Sequence, residues 1–242
     1  NWAELGMLSR PDYAHRYFVD GPIVVSSKTQ TPAKNILVGA LGKGGRGLFA
    51  LDVTNPNTFS GTNVLWETSS TPGGHMGLIQ GRPIIAKLNN GTTALIVSNG
   101  INSNNDRAAL LVFNLTTGAL IREIDTGAGS AVNPNGLSAS VGWDSNGNGT
   151  VDYVYAGDML GNVWKFNLTS SSSGSWGVAN SGNPLFVATD SLGNRQPVTA
   201  GMTVAMHPQT YKTWVFFGTG QLMLSSDMTN LAVQSMYGFV DD

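Results

Sequence analysis

Apolar residues along this chain come in short runs, separated by clusters of Gly, Asn, Ser and Pro, and helical periodicity is nearly absent. That pattern predicts strands joined by turns. Residues 36–41 (Ile-Leu-Val-Gly-Ala-Leu) form one predicted strand, 47–53 the next and 63–67 the next. The order returns at 94–100, 109–115 and 120–125, again at 153–157, 161–168 and 184–188, and in shorter form at 214–220 and 235–240. A further strand leads into each set, at 22–25, 82–87, 138–143 and 201–206. The sets begin at Ile36, Ala94, Tyr153 and Trp214, about sixty residues apart, and repetition on that scale is the mark of a β-propeller, each set being one blade. The expectation is an all-β modified propeller with some incomplete blades, occupying residues 1–242 as one partial domain. Four blades are few for closure, so the remainder is expected before Asn1 or beyond Asp242. The run at 169–175 (Thr-Ser-Ser-Ser-Ser-Gly-Ser) falls between two strands of one blade and reads as a flexible loop, not a domain boundary.

Composition narrows the functional classes. The chain has 242 residues, enough for one large β domain with a sizeable core. Only 12% of residues are charged and 31 are glycine, a profile suited to an extracytoplasmic β protein. A net charge of −2 leaves no basic stripe for nucleic acid. No apolar run is long enough to span a membrane, and no signal peptide is visible. The chain opens on Asn1 without a methionine, which suggests a fragment or mature piece. The absence of cysteine removes disulfides, thiol catalysis and Cys-type zinc sites.

The most informative stretch is 144–152, Asp-Ser-Asn-Gly-Asn-Gly-Thr-Val-Asp. Oxygen-bearing side chains fall at loop positions 1, 3, 5 and 9 (Asp144, Asn146, Asn148 and Asp152), with Gly149 at position 6 and the Thr150 carbonyl at position 7. Alternating oxygens on a tight loop suit a hard cation with six to eight ligands, so the loop reads as a calcium site. Position 12 is Tyr155 and not the bidentate glutamate of a helix-loop-helix EF-hand. The flanks are β-prone, which makes this a calcium loop within a β protein, closed by Asp152. Two charged ligands imply modest affinity, about 10⁻⁴ to 10⁻³ M and micromolar if the loop is rigid. The competing reading is a metal-free hairpin turn, because Asn-Gly-Asn-Gly also favours positive φ. Such a turn does not account for an aspartate at each end in ligand register.

Other constellations are weaker. Gly42 to Gly47 satisfies G-x-G-x-x-G, but a strand follows it, so the helix N-terminus that would bind pyrophosphate is missing. The three histidines, His15, His75 and His207, show no ligand spacing and read as structural or exposed; His75 lies in a mobile-looking loop. Asp52 and Asp125 sit at strand ends and read as turn or blade-closing residues. Trp66, Trp143, Trp164 and Trp214 read as packing between blades.

These segments together resemble the C-terminal β-propeller of the PilC/PilY family of type IV pilus tip-associated biogenesis factors and adhesins. The similarity is carried by residues 38–54, by the Gly-Arg-Pro-Ile-Ile-Ala-Lys-Leu segment at 81–88, and by Gly-Trp-Asp at 142–144 running on through 152–166. It extends through 193–200 and 217–220, in family order along nearly the whole chain. The resemblance implies a propeller with incomplete blades at the bacterial surface, outer membrane or pilus tip. It implies calcium at Asp144, Asn146, Asn148, Thr150 and Asp152, with occupancy opposing pilus retraction and so bearing on twitching motility and adhesion. Implied partners are minor pilins of the tip complex and host or abiotic surfaces, and the implied role is not enzymatic. The von Willebrand A-like region of some members does not occur in this chain, and Arg46-Gly47 is followed by Leu48, so no Arg-Gly-Asp motif supports integrin recognition. The enzymatic alternative is a quinoprotein dehydrogenase, whose blade repeat residues 49–52 and 112–118 resemble; the vicinal cysteines of many such enzymes are missing. A metal-free propeller scaffold is the third possibility.

Overall fold

A strand buried on one face alternates apolar and polar residues, whereas residues 108–113 (Ala-Ala-Leu-Leu-Val-Phe) are apolar without a break. The computed structural model, which describes residues 2–223 and 225–241, shows why. This strand lies in a sheet with a neighbouring sheet on each face. Ala109, Leu111 and Phe113 pack to one side, and Ala108, Leu110 and Val112 to the other.

Four antiparallel sheets are formed, each from consecutive segments. The first holds β1 (Ile23–Val25), β2 (Ile36–Ala40), β3 (Leu48–Asp52) and β4 (Val64–Thr68). The second holds β5 (Ile84–Lys87), β6 (Thr93–Ser98), β7 (Arg107–Asn114) and β8 (Leu120–Gly129). The third holds β9 (Leu137–Trp143), β10 (Tyr153–Asp158) and β11 (Asn162–Asn167), with the short β12 (Gly177–Val178) and β13 (Phe186–Val187) both paired to β11. The fourth holds only β14 (Thr203–Met206), β15 (Thr213–Gly218) and β16 (Met236–Asp241). The only α-helical turn among the described residues is Trp2–Leu5.

Three apolar layers join these sheets face to face. Ile36, Val38 and Trp66 of the first sheet meet Leu95, Val97 and Leu111 of the second. Ile96, Leu110 and Val112 meet Val154, Trp164 and Phe166 of the third. Tyr155 and Val163 meet Val215 and Phe217 of the fourth. The leading strands β1, β5, β9 and β14 approach one another in succession, which sets them on the inner side of a radial stack. This is the expected blade arrangement, with the third blade's outer strand broken in two and three strands of the fourth blade among the described residues.

Two sequence readings are corrected here. The outer strand expected at 184–188 is shorter, Phe186–Val187, and is preceded by β12, which the polar composition of its surroundings hid. The serine-rich loop is stapled: the buried Trp176 indole donates to the Ser170 carbonyl at 2.8 Å. After Gly42 to Gly44 the chain enters β3 directly, so there is no helix terminus for a nucleotide.

Candidate metal centre

β9 and β10 pair through Trp143 and Tyr153, and residues 144–152 form the loop that connects them. The loop is longer than the two-residue turn that Asn-Gly favours. Two of its glycines hold left-handed backbone, Gly147 at φ 76° and Gly149 at φ 86°, which lets the chain fold over its own first residue. Asp144 is that residue. Its Oδ1 accepts the backbone N–H of Asn146, Gly147 and Asn148 at 3.3, 2.8 and 3.3 Å, and its Oδ2 accepts that of Gly149 at 2.7 Å. Burial pushes the Asp144 carboxyl up, but these N–H donors outweigh it and hold it below the ordinary aspartate value.

Asp152 closes the loop and is 2% exposed. Its Oδ2 accepts from the Ser145 N–H at 3.0 Å, the Ser145 hydroxyl at 2.6 Å and the Asn146 amide at 3.1 Å; its Oδ1 accepts from the Asn89 amide at 3.0 Å. All these donors are neutral. Among the described residues no Lys, Arg or His forms an ion pair with Asp152. A buried carboxylate needs a cationic partner or a full set of hydrogen-bond donors, and Asp152 has the latter.

The five sequence-predicted residues are thus brought onto one loop. Asn146 bridges its two ends, its N–H on Asp144 and its amide on Asp152, while its own Oδ1 accepts from the Asn148 N–H at 3.0 Å. Asn148 turns its oxygen toward Thr150, accepting the Thr150 N–H at 2.8 Å and lying 2.6 Å from the hydroxyl. The donor set suits a hard cation: it offers carboxylate, amide and carbonyl oxygens and no sulfur or imidazole. Among the described residues no group of three or more His, Cys, Asp or Glu is placed to hold a metal, so a cation here would depend on amide and carbonyl oxygens beside two carboxylates.

Sequence reasoning missed Ser145 and Asn89. Ser145 occupies an even loop position, where the ligand pattern is silent. Asn89 lies in an Asn-Asn-Gly-Thr turn in the neighbouring blade, and nothing linear connects it to residue 152.

The other singled-out residues have structural settings. His75 is buried, and its loop is not loose: Nδ1 lies 2.6 Å from Glu123 Oε1 and Nε2 lies 3.4 Å from Asp125 Oδ2. Burial pushes the Glu123 carboxyl up, yet donors from Thr71, Gly73 and His75 bring it below its ordinary value. Asp125 also pairs with Arg107 at 2.9 Å. Asp52 accepts from Thr54 and pairs with Lys34, which together lower its carboxyl to about 2.

Comparison with known proteins places the chain. A family profile described as PilY1 beta-propeller domain matches residues 4–242. A type IV pilus biogenesis factor PilY1 homolog of Xylella fastidiosa is 42% identical over 253 residues, covering 98% of this chain and 17% of the relative. Type IV pilus biogenesis factor PilY1 of Pseudomonas aeruginosa PAO1 is 36% identical over 247 residues, covering 94% of this chain and 21% of the relative. The crystal structure of the P. aeruginosa PilY1 C-terminal domain superposes with a TM-score of 0.78 at 36% identity, over 86% of this chain and 45% of that one. The chain therefore spans about a fifth of the length of these curated relatives.

Proposed function

The chain belongs to the PilY1 β-propeller family, and from that premise we propose that it is the calcium-binding propeller of a type IV pilus biogenesis factor, acting at the cell surface. The observation that carries the calcium reading is the pair of carboxylates at the two ends of one oxygen-rich loop, Asp144 at its start and the buried Asp152 at its base, bridged by Asn146. The pilus reading rests on the relatives, which are named as pilus biogenesis factors and not as enzymes. No observation favours a dehydrogenase.

Asp144, Asn146, Asn148, the Thr150 carbonyl and Asp152 would hold the ion. Calcium supplies positive charge between two carboxylates and binds hard oxygens. Asp152 leads directly into β10, and its carbonyl accepts the Leu168 N–H at 2.8 Å just past β11. The loop is therefore built into the blade and not hung from it. Without a cation, the two carboxylates repel and rely on N–H and O–H donors alone. The functional consequence we propose is that occupancy stiffens this blade in a pilus-tip complex with minor pilins. That supports twitching motility and adhesion to host or abiotic surfaces and opposes pilus retraction.

The test is calorimetric titration of calcium into chelator-stripped protein. Saturable binding with a Kd of about 10⁻⁵ to 10⁻³ M is expected, and Asp152→Ala should abolish it. A flat wild-type titration to several millimolar, beyond the weak end of such sites, would reduce the loop to a metal-free connection.

A further inference from the structure

The metal loop belongs to the third blade, but one side chain of the second blade reaches into it. Asn89 follows β5 in the turn to β6. Its Nδ2 donates to Asp152 Oδ1 at 3.0 Å and lies 3.4 and 3.3 Å from the Val151 and Leu168 carbonyls, and its Oδ1 is 3.0 Å from the Thr150 hydroxyl. One amide thus touches both residues at the closing end of the proposed ligand set, Thr150 and Asp152, and the strand end that follows β11. The backbone reinforces the contact. Leu88 and Val151 form a parallel bridge, and the Val151 N–H donates to the Lys87 carbonyl at 2.9 Å. The first blade joins at the same end, where the Gln30 amide donates to the Ile85 carbonyl at 2.6 Å and the Thr93 hydroxyl to the Gln30 carbonyl at 3.3 Å. Between these turns lies an open cleft of about 430 Å³, with Gln30, Lys87, Asn148 and Thr150 on its walls.

We propose that Asn89 is a positioning residue for the calcium loop, and that it is the latch through which occupancy of the loop is transmitted to the joint between the second and third blades. This rests on the calcium reading above. The chemistry favours an amide at this position. Asp152 needs a donor on Oδ1 to stay oriented while buried, and a cationic donor would compete with calcium for the carboxylate. An aspartate would face Asp152 with a second negative charge. Asparagine donates to Asp152 and accepts from Thr150 at no change in charge. The ligand loop and the second blade therefore share a hydrogen-bond network, and an ion that orders the loop must order the shared contacts as well.

The test compares calcium affinity by calorimetry in wild type, Asn89→Ala and Ile36→Val. Ile36 belongs to the apolar layer between the first and second blades and not to the one that meets the third, and its variant controls for general loss of stability. Loss of a residue that orients metal ligands typically weakens binding about 10- to 100-fold. Asn89→Ala should weaken calcium by about 10-fold or more at unchanged stoichiometry, with Ile36→Val matching wild type. Wild-type binding with an Asn89→Ala affinity within about twofold would overturn the inference and leave the calcium reading standing, because residues that orient metal ligands ordinarily act well above that. No binding in wild type would overturn both. Amide exchange on the wild-type protein covers the case in which Asn89→Ala does not fold. Calcium should slow exchange of the Val151 amide, whose acceptor lies in the second blade, and bound calcium without slowing there would overturn the latch.

Discussion

Buried carboxylates in this protein have two kinds of setting. Asp158 is fully buried and takes five donors: the Leu160 and Asn162 N–H groups at 2.9 Å on one oxygen, and Asn135, Asn162 and the Trp164 indole at 2.8 Å on the other. Asn99 follows the corresponding strand of the second blade and works likewise, donating to the His75 and Arg107 carbonyls and accepting from Ala109 and Leu137 N–H. Asp158 ties its blade to the segment that enters it, and Asn99 ties the second blade to the segment before it and to β9 of the third. Glu123 holds the same connecting segment through a carboxylate, accepting from Thr71, from the Gly73 and His75 N–H groups and from the His75 ring. Its carboxyl is lowered in the folded chain. Its contribution to stability is therefore full above the unfolded value near 4.5 and is lost as pH falls through the lower folded value. Glu123→Gln should be less stable than wild type at neutral pH in urea denaturation. The gap should narrow as pH drops below about 4.5, where wild type loses the charge that the variant never had. A gap that stays constant to pH 3 would show that the charge is not what fixes the loop.

Strands of the two middle blades are the most constrained elements, because apolar neighbours occupy both faces. On β7 even a single side chain is committed to one neighbour: Leu111 faces the first blade and Leu110 the third. Both are fully buried. Leu111→Ala should cost about 2–5 kcal/mol in chemical denaturation, the range for large-to-small changes in packed cores. Val64→Ala on β4, where the valine is 45% exposed, should cost less than about 1 kcal/mol. Comparable losses at the two positions would argue against the sheet-on-sheet layers. The joint between the first two blades has a second lock, in which the Trp66 indole donates to the Leu115 carbonyl at 2.8 Å and lies against Gly118. Gly118 has φ 71°, and a Cβ there would come within 2.6 Å of the Trp66 ring. A glycine at that position answers both demands, left-handed backbone and close approach.

Across the molecule, joints between blades differ in chemistry. Each apolar layer has polar contacts at its margin, and at the third these include an ion pair: Lys165 Nζ lies 2.6 Å from Asp241 Oδ2, which the Tyr155 hydroxyl also meets. Lys165 on β11 also stands 4.3 Å from the ring centroid of Tyr153, the first residue of β10 after the 144–152 loop. Burial, then the Asp241 hydrogen bond and charge, push the Tyr155 hydroxyl up from its ordinary value and keep it a donor. An ion bound by the 144–152 loop, as proposed above, would stabilise the blade between two of these joints and so the whole stack. Calcium at about 100-fold over Kd adds about 2.7 kcal/mol by mass action. For a chain of this size, that corresponds to a rise in Tm on the order of 5–10 °C. Thermal unfolding in saturating calcium and in chelator should differ by that amount in wild type and not at all in Asp152→Ala. Equal midpoints in wild type would mean that no ion binds the native state selectively.

Strand positions, blade repetition and the spacing of side-chain oxygens at 144–152 were legible in the sequence, because each is a local periodicity: apolar runs, turn residues and oxygens at alternate positions. The family was legible for the same reason, since its motifs are contiguous segments in order. The partnerships across blades were not. Asn89 with Asp152, Glu123 with His75, and Lys165 with Asp241 join residues far apart in the chain, and each partner alone reads as an ordinary turn, strand end or surface charge. Likewise, only the stacking of the sheets decided which alternate residues of β7 face which neighbour, because an unbroken apolar run has no polar face to orient it. Local chemistry determined which segments become strands and which loop can offer oxygens. Tertiary packing decided which carboxylates are buried, which neutral groups hold them, and therefore which loop is tied to the rest of the molecule.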